Sequence, residues 1–274
     1  MSQHRIINRQ PGRAGVVWLA ALPFLLLAAA YLIGSEIRLE ANPNDKLLPP
    51  LGKIWTSIER MAFTPDKRSG QYLFWVDTWA SLIRLGVGVS IATIGGLVFG
   101  VASGLIPYVR ATLSPFIALL SMIPPLSVMP ILFIVFGLGE VAKIVLVVFG
   151  VMPFLMRDMQ IWVLDLPGEQ LIKAQTLGAN SWQIALRVVL PQTLPRLIDS
   201  VRLTLGPAWL FLIAAEAIAS TEGLGYRIFL VRRYMSMDVI LPYVAWITLL
   251  AFVMDFTLTR ISRKMFPWSK LEGR

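Results

Sequence analysis

From Val16 to Gly34 the chain carries no charged side chain, and comparable apolar runs recur at about 78–106, 111–136, 141–163, 201–219 and 239–258. A helix needs about 20 apolar residues to cross the hydrocarbon core of a bilayer, where only helices and closed barrels satisfy every backbone amide and carbonyl. The runs are continuous rather than alternating, which selects helices over barrel strands. The chain therefore reads as an all-α membrane protein of about six transmembrane helices. Its 56% hydrophobic and 15% charged residues are far from the averages of soluble domains.

Several chemistries are excluded at once. With no cysteine, the chain holds no disulfide, thiol nucleophile or iron–sulfur ligand. The single histidine, His4, lies in the N-terminal tail, away from any span, so histidine-based catalysis and His-ligated zinc are not expected. The excess of 25 Lys and Arg over 16 Asp and Glu reads as charge that sets membrane topology rather than as a nucleic-acid footprint.

The basic residues Arg5, Arg9 and Arg13 place a tail, residues 1–15, in the cytoplasm before a first span at 16–34. Reading Ala28–Ala30 as a signal cleavage site is disfavoured by the length of the apolar run. Residues 35–77 form an external loop containing the amphipathic stretch LGKIWTSIERMAF. Residues 78–258 form the transmembrane core, and 259–274 a basic cytoplasmic tail with Arg260, Arg263, Lys264, Lys270 and Arg274. Within the core, the second span carries Gly88, Ala92, Gly96, Gly100 and Gly104, a four-residue repeat that makes one helix face smooth enough for another helix to approach closely. The third span is interrupted by Pro124, Pro125 and Pro130, which predicts a kinked helix that either lines a pathway or is simply bent. The FGLGE turn then reverses the chain outside, and the segment from 220 to 237, with GLGYR, is read as an external loop.

Between the fourth and fifth spans lies a polar island, IKAQTLGANSWQIALRVVLP, from Ile172 to Pro191. Asp165, Pro167 and Glu169 open it as a helix start, Gly178 closes a first short helix as a left-handed cap, and Asn180 or Ser181 caps a second. Pro191 and Pro195 bound the re-entry into the membrane. Ala174 and Gly178, four residues apart, predict a low-profile face on which a partner's cleft closes, with Gln170, Lys173 and Gln175 as polar contacts.

Ionisable residues inside spans each cost about 2.5 to 3.5 kcal/mol on insertion scales. Glu216, among Ala214, Ala215 and Ala217, must face protein or a pathway. It reads first as an interhelical or inter-copy contact and second as a group on the substrate path. Arg84, Arg157, Asp158, Arg202 and Asp255 lie nearer span ends and read as anchors and interhelical pairs.

With these residues in view, the chain resembles the permease subunits of bacterial ABC importers, in the branch handling nitrate, taurine, alkanesulfonates and bicarbonate. That family carries a cytoplasmic pattern of Glu-Ala-Ala, three residues, Gly, nine residues and Ile-x-Leu-Pro. Here the glycine is Gly178, the second alanine Ala174, and the ending falls on Val188, Val189, Leu190 and Pro191, whereas Ile172 and Lys173 replace the glutamate and first alanine. The similarity extends from about Leu48 to Trp268 through PPLSVMPILFIVFGLGEVAKI, LGPAWLFLIAAEAIAS and TEGLGYRI. The resemblance implies the type I, MetI-like permease fold and no enzymatic activity. It also implies a homodimer of permeases in the inner membrane, each docking a coupling helix (Ile172, Lys173, Ala174, Gly178, Leu190, Pro191) on an ATP-binding subunit. A periplasmic or lipoprotein substrate-binding protein would deliver a nitrate-, sulfonate- or bicarbonate-like anion, or a urea- or guanidine-type compound. Pro124, Pro125 and Glu216 become candidates for pathway or gating. No G-x-x-x-x-G-K-[ST] loop is present, so ATP is expected on the partner and no cofactor on this chain. A self-contained channel or secondary transporter is the alternative, but it leaves the polar island without a role.

Overall fold

The computed structural model describes residues 12–43, 45–67 and 69–270; His4, Arg5, Arg9 and Arg274 lie outside the described residues. Five helices are long and apolar enough to span a membrane: α1 (Arg13–Ala41), α3 (Leu73–Leu105), α6 (Glu140–Leu164), the continuous run from Ser181 to Ala219 that ends in α9 (Leu190–Ala219), and α11 (Met237–Met265). Between them lie α2 (Leu51–Ala62), the pair α4 (Pro107–Met122) and α5 (Pro125–Phe136), α7 (Gly168–Thr176) and α10 (Leu224–Arg232), while α8 (Ser181–Ile184) opens the run that ends in α9.

The glycine stripe of α3 organises the bundle. A Cβ at Gly88 would sit 2.9 Å from Val147, at Gly96 2.5 Å from Leu155, and at Gly104 2.5 Å from Val163. The constant offset between partners makes α3 and α6 parallel and in register, backbone against side chain along most of their length. Only a residue without a side chain permits that approach, and without a hydrophobic drive between helices in lipid, close packing supplies much of the association. Substituting Gly100 with alanine tests this. Its Cβ would lie 2.6 Å from Met159 Cβ and 2.8 Å from the Met156 carbonyl oxygen, and backbone does not yield cheaply. We expect thermal unfolding in detergent to show a loss of about 1–3 kcal/mol, whereas Gly86→Ala on the same helix, where nothing lies within 4 Å, is neutral.

Because α3 and α6 run parallel, the chain must return between them, and the α4–α5 pair makes that crossing. The expected kink is in fact a full break: the two helices meet at 98°. Ile123 and Pro124 both precede a proline, which pushes each out of helical geometry, and their ψ values of 121° and 119° are extended. Arg110 closes the preceding corner by donating from Nε to the Ser103 carbonyl at 3.1 Å, and also to Gly104, cations being favoured at a helix C-terminus.

Other boundaries differ from the sequence expectation. The helix α1 continues to Ala41, beyond 34, as Tyr31 and Ser35 donate to the Pro49 and Leu48 carbonyls at 2.6 and 2.9 Å. Just beyond it, hydrogen bonds from Arg38, the larger effect, and from the Leu47 amide hold the Asp45 carboxyl below its ordinary range. The amphipathic stretch forms α2, which turns Ser57, Met61 and Ala62 inward and leaves Leu51 and Trp55 exposed. It is fastened to α11 by Ser57 donating to Asp238 at 2.5 Å. Residues 220–237 are not a plain loop, since α10 forms within them.

Candidate functional site

The polar island forms at the end of the bundle where α6 finishes and α9 begins. As expected, α7 is short and is stopped by Gly178 at φ +87°. Gly178 donates to the Gln175 carbonyl at 2.9 Å and Ala179 to that of Ala174 at 3.0 Å. Asn180 then caps the next helix in a reciprocal box: the Gln183 amide donates to Asn180 Oδ1 at 2.8 Å and the Asn180 amide to Gln183 Oε1 at 3.0 Å. That second helix does not stop at Pro191. It continues through a π turn, Ala185–Val189, into α9; the wider turn accommodates the ring of Pro191, which would otherwise meet the Arg187 carbonyl. Pro195 likewise sits inside α9 rather than bounding it. The return helix is thus the first turns of the fifth span.

A second correction concerns the face of α7. Ala174 packs with Leu171 and Ala179 onto a small cluster of Val163, Ile184 and Val189, so it faces the protein's own body. The helix ends at Thr176, so the four-residue relation of Ala174 to Gly178 does not place both on one helical face. Ile172, Lys173 and Gly178 are exposed, whereas Leu190 and Pro191 are half-buried in the first turn of α9. The outward surface consists of Ile172 at 60%, Leu177 at 81% and Trp182 at 71% exposure, with Lys173 and Gln175 beside them. Gln192 of α9 donates to Gln170 of α7 at 3.0 Å, so movement of α7 is tied to the fifth span.

At the opposite end of the bundle Glu216 is completely buried. Arg84 Nη1 donates to its Oε1 at 2.8 Å, Ser81 Oγ to its carboxylate at 2.8 Å, and the Gly225 amide to Oε2 at 2.9 Å. Arg84 also forks onto Glu140, with Nη2 to Oε1 at 2.9 Å, and reaches the Glu222 carbonyl at 2.9 Å. Lys143 bridges Glu140 and Ser220 at 2.8 and 3.1 Å. Alongside, Asp77 accepts from the Gly223 amide at 2.9 Å, Arg227 Nε at 2.7 Å and the Tyr243 hydroxyl at 3.1 Å. The network joins α3, α6, α9, α10 and α11. Gly223 (φ +125°) lets the TEGLGYR turn rest on the carboxylate, since a Cβ there would come within 2.6 Å of Glu216 Cδ. Sequence reading singled out Glu216 but missed Glu140, Lys143 and Arg227 as its neighbourhood; the available signal was the pair of motifs FGLGE and TEGLGYR, which the fold brings together.

A third feature is a cleft of about 430 Å3 at the α4–α5 break, between those helices, α6 and α9. Pro125 lines it and Glu216 does not; Pro124 is exposed beside it. Arg157 and Asp158, both expected as anchors or interhelical pairs, behave differently from each other. Asp158 accepts a hydrogen bond from Ser200 of α9, whereas Arg157 is exposed and makes no hydrogen bond or ion pair among the described residues. Arg202 and Asp255 do pair between α9 and α11, at 2.8 and 3.2 Å.

Parallel glycine-packed spans, a protruding helix between the fourth and fifth, and an ion network at the far end define a polytopic helical membrane protein built to connect its two faces. The model of the family described as binding-protein-dependent transport system inner membrane component matches residues 92–267, and the chain belongs to that family. It is 34% identical over 194 residues to the taurine transport system permease protein TauC of Escherichia coli (strain K12), an alignment covering 71% of this chain and 70% of that protein. It is 25% identical over 264 residues to the putative aliphatic sulfonates transport permease protein SsuC of Bacillus subtilis (strain 168), covering 96% and 92%. Similarity at 35% identity over 158 residues extends to the bicarbonate transport system permease protein CmpB of Synechococcus elongatus, covering 57% and 56%. In structure, 73% of the chain superposes on 99% of a chain from the MetNI methionine ABC transporter in an inward-facing conformation, with a TM-score of 0.62 at 22% identity. The fold is the all-α MetI-like permease fold, and the protein is a transport permease.

Proposed function

We propose that this chain is the membrane-spanning subunit of an ATP-driven importer for a small oxyanion, and that two copies assemble with two ATP-binding subunits and an external substrate-binding protein. The observation that carries the reading is α7. The nine-residue α7 has no buried residue and exposes Ile172, and Leu177 at its end and Trp182 of α8 are exposed as well; apolar side chains left open on a water-facing end call for a protein partner. We assign this end to the cytoplasm, with both tails on the same side, because Arg5, Arg9 and Arg13 precede the first span and Arg260, Arg263 and Lys264 close the last. The network around Glu216 then lies at the external end, holding the α9–α10 turn. ATP binds the partner subunit, and this chain carries the solute path.

The relatives support this substrate class, their named cargoes being taurine, aliphatic sulfonates and bicarbonate. All present a compact oxyanion group. To test the assembly, the permease is purified with its ATP-binding subunit and reconstituted in proteoliposomes with its binding protein. We expect the ATP-binding subunit to be retained in equal amount, and to be lost on Leu177→Asp combined with Trp182→Asp, since two charges in a desolvated patch weaken binding by at least about a hundredfold. Transport by the lone chain without ATP would overturn the reading in favour of a channel or secondary transporter.

A further inference from the structure

We propose that Arg157 is the anion-selecting residue of the permeation path, acting within the cleft at the α4–α5 break; this rests on the oxyanion reading above. Two independent observations meet there. Non-helical backbone at membrane depth is tolerated only where it is enclosed by protein or lines a wet cavity, and the extended residues Ile123 and Pro124 stand at the mouth of this cleft, Ile123 lining it. An arginine in a spanning helix is tolerated on the same terms, and Arg157, roughly 10 Å along α6 from its end at Leu164, opens into the same space. Pro153 removes the amide that would bond the Phe149 carbonyl, and Phe149 also lines the cleft. The volume of about 430 Å3 admits a small hydrated anion.

Among the ionisable groups of the cleft, the Asp158 carboxylate accepts from Ser200 on α9, and no hydrogen bond or ion pair joins it to Arg157 among the described residues. Arg157 therefore presents its planar fork of donors to the space, a geometry that matches two oxygens of a sulfonate or carbonate. Of the remaining lining, Phe149, Phe211 and Ile123 are apolar while Ser121 and the Asp158 carboxylate are polar, so Arg157 is the one cation among the lining residues and acts through its directed donors. A solute with an oxyanion group gains this paired contact and a cation gains none, so the passage itself discriminates by charge after the binding protein has released its cargo.

The absence of cysteine gives a direct test. Ser121, exposed and lining the cleft, is replaced by cysteine in the otherwise intact complex in membrane vesicles. It is then reacted with two methanethiosulfonate probes, one bearing a sulfonate and one a trimethylammonium group. We expect the ratio of sulfonate to trimethylammonium reaction rates to be at least about tenfold higher in Ser121→Cys than in Ser121→Cys with Arg157→Gln, and Arg157→Lys to retain most of it. An unchanged ratio overturns the assignment, as does a thiol that neither probe reaches. Loss of the two-copy assembly in Arg157→Gln also overturns it, since the guanidinium would then serve a carboxylate of a second copy. Failure of ATP-dependent uptake with the anion preference intact counts against the importer reading and leaves the role of Arg157 standing.

Discussion

Replacing Arg84 with alanine removes most of the folded protein, whereas Glu216→Gln leaves a substantial fraction. The asymmetry follows from who remains paired. Arg84 is 3% exposed and is held by both oxygens of Glu140 as well as by Glu216 and the Glu222 carbonyl. Without it, Glu216 is a fully buried carboxylate with only Ser81 and the Gly225 amide as donors. Breaking a buried pair from one side costs about 3–5 kcal/mol because the surviving charge is uncompensated, which is comparable to much of a domain's stability. In Glu216→Gln the guanidinium keeps its fork on Glu140 and the amide oxygen still accepts from Arg84 and Ser81, while the amide nitrogen faces the Gly225 N–H and leaves that donor unpaired, so the loss is about 1–3 kcal/mol. Arg84→Lys should behave more like alanine than like arginine, since an ammonium cannot span Glu140 and Glu216 in one plane. Fluorescence-detected gel filtration and thermal unfolding in detergent measure all three. Equal yields of Arg84→Ala and wild type would show that the network is dispensable to the fold.

The parts legible in the sequence are those whose cause is local. Gly88, Ala92, Gly96, Gly100 and Gly104 repeat at one helical period, so a smooth face was readable, but nothing in α3 announces that Val147, Leu155 and Val163 of α6 fill it. The cap after Gly178 was readable for the same reason, as Asn180 or Ser181, and the reciprocal bonds with Gln183 select Asn180. Pro191 misled because proline usually marks a helix boundary; the π turn before it leaves no periodic trace, so a continuous fifth span looked like two pieces. Glycines at 223 and 225 suggested an external loop, whereas they serve the close approach of α10 to Glu216 and Ile213. Glu216 was readable as a residue needing partners, yet those partners stand at Ser81, Arg84 and Gly225, and Glu140 joins through Arg84. Only tertiary packing brings them together. Ala174 was misplaced because its supposed helical neighbour, Gly178, is already outside the helix at positive φ.

Substituting Gly178 with leucine should preserve the membrane fold and lower ATP-driven uptake by about tenfold or more while ATP hydrolysis continues. No atom lies within 4 Å of a Cβ placed at Gly178, so the added side chain meets nothing inside this chain. The backbone is the obstacle: at φ +87° a branched L-residue is disfavoured by roughly 1–2 kcal/mol, and about 1.4 kcal/mol is a tenfold shift in population. An exposed turn of a stable bundle absorbs that energy without unfolding by opening the bonds from Gly178 to Gln175 and from Ala179 to Ala174. The end of α7 then departs from the orientation proposed for docking, and in that proposal its link to the fifth span through Gln170 and Gln192 no longer transmits a fixed displacement. Asparagine separates the two possible causes, since it tolerates the left-handed region better than leucine while adding a side chain. Near-normal uptake in Gly178→Asn beside a failing Gly178→Leu identifies backbone geometry as the requirement. Failure of both identifies the space outside Gly178 as occupied by the partner. Wild-type uptake in Gly178→Leu would remove α7 as the docking element, because a coupling helix whose cap can be strained without consequence transmits nothing.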